Sequence, residues 1–181
     1  AEAITAYIVS VNEEKEVIEI TALKAEIDAK IGGFPSPLNE YNNLDVINVY
    51  LEVSANLELI EKCTAAAIAR VFGEEGTAYI HTFLDNLYAK ISERPEDKAL
   101  ADEIYASFKY FNELIREDVS SLPTEHLTVK FTEANTKLND LKTKYGEETI
   151  AKLFGGKYEQ VNSAVIAVYK VLAERLESQI G

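Results

Sequence analysis

Residues 44–72, LDVINVYLEVSANLELIEKCTAAAIARVF, decide the fold. Val46, Tyr50, Val53, Leu57, Ile60, Thr64, Ala67 and Val71 recur in steps of four and three. That spacing lines side chains along one face of an α-helix. At 1.5 Å per residue it predicts one continuous helix about 43 Å long, ended by Gly73.

Working outward from this seam, the same periodicity recurs along the chain. Residues 2–31 carry Ile4, Ile8, Val11 and Ile18, then Ile20, Leu23, Ile27 and Ile31, before Gly32-Gly33. The stripe shifts after Lys15, which predicts a bend or a second packing partner there. A third helix is expected over 77–92, with Ile80, Phe83, Leu84, Leu87 and Ile91 inward. A fourth opens at Pro95 and buries Leu100, Ile104, Phe108, Phe111 and Ile115. A fifth, capped by Ser121 with Pro123 in its first turn, carries Leu127, Phe131, Ala134, Leu138, Leu141 and Tyr145 as far as Gly146. A short helix over 147–154 and a last one over 157–180 complete the reading, the last with Tyr158, Val161, Val165, Val168, Leu172 and Leu176 on one face. All prolines and glycines fall between these stretches or at the chain end, and no strand alternation competes.

Two blocks of sequence repeat in order. IARVFG at 68–73 parallels IAKLFG at 150–155, and LYAKISER at 87–94 parallels VYKVLAER at 168–175. The expectation is a single-domain all-α bundle over 1–181, with six main helices plus one short one. Two related three-helix halves, 1–94 and 95–181, are its candidate internal organisation.

Composition fits an ordinary soluble core, with 47% hydrophobic and 27% charged residues. The 31 acidic against 18 basic residues give a net charge of −13. Such a surface repels phosphate backbones, so nucleic acid is not an expected partner. No apolar run approaches the length of a membrane span. Cys63 is the only cysteine, so no intramolecular disulfide forms. The sequence lacks Met and starts at Ala1, which supports an exported protein with its leader removed, although no Asn-X-Ser/Thr acceptor accompanies it.

Motifs that fix a reaction are missing. His81 and His126 are the only histidines, and neither follows a glutamate by three residues as a di-iron bundle requires. Cys63, His81 and Asp85 are the single thiol–imidazole–carboxylate candidate, and Cys63 reads more simply as a small apolar residue. Glu147-Glu148 suit the positive end of the short helix. No calcium loop, phosphate loop or dinucleotide fingerprint occurs, and neither a metal nor a cofactor is expected.

The aromatic residues carry the functional expectation. Phe72 and Phe154 are repeat partners, as are Tyr88 and Tyr169, and Phe83 lies near Tyr88 in sequence. Together these five are the candidate lining of an apolar chamber between helices. The long connection from Gly32 to Asn43 places Phe34 and Leu38 as anchors over a bundle end. The leading expectation is a non-enzymatic exported protein that holds a small apolar ligand, such as a lipid. The alternative is an acidic module that recognises a protein partner, and a thiol-dependent enzyme is third; in any of these the chain is expected to be a monomer or weak dimer.

Overall fold

A computed structural model describes residues 1–34 and 42–180. The described residues are all-α: eight helices and no strand. They are α1 (Glu2–Gly32), α2 (Asn43–Glu61), α3 (Ala65–Phe72), α4 (Ala78–Ile91), α5 (Pro95–Leu114), α6 (Thr124–Tyr145), α7 (Glu147–Phe154) and α8 (Tyr158–Ile180). Six are long, and α3 and α7 have eight residues each. No described helix is long and apolar enough to cross a membrane.

The second short helix corrects the seam reading of 44–72. The predicted single helix breaks between Glu61 and Ala65. Thr64 supplies the reason: its hydroxyl accepts from the Ala67 amide and caps α3. A threonine in a seam can either pack inward or turn its hydroxyl to a free amide, and here the cap wins. Glu16 reinforces the break from α1, accepting from the Thr64 hydroxyl at 2.8 Å and from its amide at 3.2 Å. A second correction concerns the start of α6. Ser121 sits in a 3-10 turn (Val119–Ser121) and donates to the Asp118 carbonyl, while Pro123 rather than Ser121 occupies the residue before the helix.

The chain divides into two compact units, 1–101 and 102–181, so the division falls inside α5 rather than before it. In the first unit α2 packs against α1 and α4, and α3 packs on α1. The core is Ile20, Leu23 and Ile27 of α1, most of α2, and Ile80, Leu87 and Ile91 of α4. α2 is buried well beyond a single seam: Ile47, Val49, Leu51 and Ala55 join Val46, Val53, Leu57 and Ile60. Its near-continuous run Val46-Ile47-Asn48-Val49-Tyr50-Leu51 marks a helix covered on most sides.

In the second unit α6 packs against α7 and α8. Phe154 of α7 meets Phe108 and Phe111 of α5 at ring-centre distances of 5.1 and 5.9 Å. Arg175 of α8 clasps the turn before α6, donating to the carbonyls of Ser120 and Leu122 and to the Thr124 hydroxyl. Toward its end α8 outruns its core: Val161, Val165 and Val168 are buried, Leu172 is half-buried and Leu176 is exposed.

Only the first pair of repeated blocks shares a form. IARVFG and IAKLFG end eight-residue helices at glycines with φ of +73° (Gly73) and +59° (Gly155), a region that side chains rarely adopt. The later block does not share a helix end. Residues 87–94 run off the end of α4 into a turn, whereas 168–175 lie in the middle of α8.

α1 is continuous, so the shift after Lys15 is not a break. It is a change of face. At 100° per residue the outer stripe of Ile4, Tyr7, Ile8, Val11 and Ile18 points about 150° away from Ile20, Leu23 and Ile27, which face the core.

Candidate functional site

The first unit holds a cleft of about 570 Å³ between the C-terminal part of α1 and α2. Its apolar wall is Ile27, Phe34, Val49 and Val53. Beside Val49 and Val53 on the same helix runs a polar row, Asn48, Glu52 and Asn56, spaced by four so that the three side chains share one face. All three are buried. Burying such a row is costly unless each group finds a partner. Lys30 of α1 supplies one: its Nζ lies 2.8 Å from Glu52 Oε2 and donates to Asn48 Oδ1 at 3.4 Å. Glu26 and Asp45 complete the rim. The cleft thus carries three carboxylates and one ammonium, a formal charge of −2 beside an apolar surface.

The five aromatic residues expected to line one chamber go to separate partners. Phe72 pairs with Tyr79 at 6.3 Å, beneath the Lys24 ammonium. Phe83 meets Phe34 edge-on at 5.8 Å. Tyr88 pairs with Tyr50 at 5.4 Å. Phe154 is buried in the Phe108–Phe111 cluster, and Tyr169, 55% exposed, pairs with Phe131 at 5.5 Å. Helical spacing gives the face of a ring but not its partner in space. Phe34, the one loop anchor that can be placed, lies in the cleft wall. Leu38 falls outside the described residues.

Sequence reasoning missed Asn48, Glu52 and Asn56. The signal was a row of polar residues at every fourth position among the buried apolar residues of α2, close to a lysine late in α1.

Cys63, His81 and Asp85 do not assemble as read. His81 Nε2 lies 2.5 Å from Glu61 Oε1. The Cys63 thiol donates to the Leu59 carbonyl at 3.6 Å. Burial, with Glu16 close by, pushes that thiol up to about 11, which keeps it protonated at neutral pH and counts against a nucleophile. Nearby, Asp28 accepts from Lys24 and Tyr79, both at 2.7 Å. Burial acts to raise the Asp28 pKa, but these hydrogen bonds outweigh it and the net shift is downward. This cluster joins α1 to α4, an ordinary task for a surface network. Among the described residues no group of three or more His, Cys, Asp or Glu is placed to hold a metal ion.

Comparison of the chain with known protein families, with curated proteins and with solved structures finds no match.

Proposed function

We propose that this protein is a non-enzymatic, exported binder of a small ligand, held in the α1–α2 cleft. The observation that carries the reading is the cleft itself: about 570 Å³, within the range of small-molecule sites, and lined by both apolar side chains and a polar row. Its chemistry suits an amphiphile with a short apolar body and a cationic head. The body would lie along Ile27, Phe34, Val49 and Val53, and the head would face Glu26, Asp45 and Glu52. This narrows the expected apolar ligand by giving it a charged end.

The test is calorimetric titration with dodecylamine, with dodecanoate as the anionic control, alongside native mass spectrometry and organic extraction of the purified protein. Dodecylamine is expected to bind at least tenfold more tightly than dodecanoate, a gap of about 1.4 kcal/mol. Val49→Trp, which fills the cleft, is expected to abolish binding. Equal affinity for the two amphiphiles would remove the charge argument. Binding untouched by Val49→Trp would move the site elsewhere.

A second reading, recognition of a protein partner, is favoured by the outer stripe of α1.

A further inference from the structure

We infer that the N-terminal half of α1 pairs antiparallel with the same segment of a second copy of this chain. This inference is independent of the cleft. Ile4 is 66% exposed, Tyr7 69%, Ile8 52% and Ile18 71%, and with the half-buried Val11 they form a stripe interrupted by Lys15, while Val9, 58% exposed, lies on the opposite side of the helix. That stripe points about 150° away from the core-facing side of α1, so no rotation of the helix buries both. Exposed large apolar residues scattered singly need no explanation, but an ordered row along one helix face calls for a partner.

The sequence of the stripe identifies the partner. Ile4, Ile8, Val11 and Lys15 follow steps of four, three and four, which read the same way when the segment is reversed, while Ile18, one step further, falls opposite Ala1. In an antiparallel pair each residue opposes the one whose number brings the sum to 19. Ile8 then meets Val11 of the second copy in two central layers, and Ile4 meets Lys15, whose methylene stem covers it while the ammonium reaches water. Tyr7 falls beside Glu14 of the second copy.

The parallel alternative stacks Lys15 on Lys15 and sets Glu14 against Glu19, so like charges oppose it. A lipid surface is a poorer match. Residues 1–12 contain no Lys or Arg, and interfacial helices rely on such residues to meet anionic headgroups. Two arms of about 18 residues are each about 27 Å long. Together they cover on the order of 1,000 Å², at the lower limit of a stable interface, so the dimer is weak.

Sedimentation velocity of the full chain between about 5 and about 500 μM tests this, since a weak dimer titrates in that range. The expected result is a monomer that dimerises as concentration rises. Ile8→Glu should weaken association at least tenfold while far-UV circular dichroism stays unchanged, because Ile8 is 52% exposed. Lys15→Ile should strengthen it. Orientation follows from a spin label at Ala3→Cys in a Cys63→Ser background: antiparallel arms separate the two labels by about 20 Å along the axis, whereas parallel arms bring them side by side. A monomer at every concentration, a dimer indifferent to Ile8→Glu, or side-by-side labels would each overturn the proposal. So would a monomer that binds neutral phosphatidylcholine vesicles through Ile8, which would assign the stripe to lipid.

Discussion

Lys30 and Glu52 illustrate how a polar residue survives in a core. Glu52 is almost wholly buried while Lys30 remains over a third exposed, so the pair is anchored on one side and solvated on the other. Removing the cation deprives a buried carboxylate of a counter-charge 2.8 Å away, and such losses are large. The partial exposure of Lys30 screens part of the interaction, so Lys30→Met is expected to cost about 2 kcal/mol rather than the full 3–5 of a dry pair. Chemical denaturation should show that loss, and the double variant Lys30→Met/Glu52→Leu should recover at least half of it, since an apolar replacement removes the buried carboxylate as well. A double variant no more stable than the single one would mean that Glu52 is held mainly by other groups.

The break between α2 and α3 is the element-scale decision on which the first unit turns. Thr64 caps α3 while Glu16 binds Thr64 from α1, so one carboxylate ties a helix start to a neighbouring helix. Thr64→Ala is expected to cost about 1 kcal/mol, the usual value of a lost cap. The hydrogen bonds from Thr64 lower the Glu16 pKa below 4.5, despite the opposing effect of burial. A depressed carboxylate contributes stability that is fully present above its unfolded pKa and is lost as pH falls through the folded one. The stability gap between the native chain and Glu16→Gln should therefore be constant from neutral pH down to about 5 and close as the pH drops below about 4. Melting curves across this range check it, and a gap that widens in acid would reverse the assigned sign. The break also marks what the sequence could convey. Apolar spacing located the helices and put Leu57, Leu138 and Val168 inside, where they lie. The same spacing counted Thr64 as one more seam position, because periodicity is blind to a hydroxyl that turns to cap. It was blind also to the cleft, where the deciding feature is a row of Asn and Glu matched by a lysine on a different helix, and to aromatic pairing, which depends on which helices become neighbours.

For the molecule as a whole, charge is the dominant long-range term. The chain carries 31 acidic and 18 basic residues, and its basic side chains already sit in close pairs such as Lys24–Asp28, Arg70–Glu13 and Glu14, Lys130–Glu117 and Lys144–Glu103. These pairs lie at or near the surface, where each contributes at most about 1 kcal/mol and weakens with salt. The surplus of carboxylates repels over longer distances, where screening acts more strongly than across a contact pair. Raising NaCl from about 20 mM to about 300 mM should therefore stabilise the fold by about 1 kcal/mol, which for a chain of this size lifts the melting temperature by about 2–4 °C. Neutral solutes at matched osmolality separate screening from general exclusion effects. The same change should strengthen self-association, because two copies each carrying −13 approach against their mutual repulsion before the α1 arms meet. If salt lowered the melting temperature, the short ion pairs rather than the surplus charge would govern stability, and the acidic surface would be a set of local contacts instead of a repulsive shell.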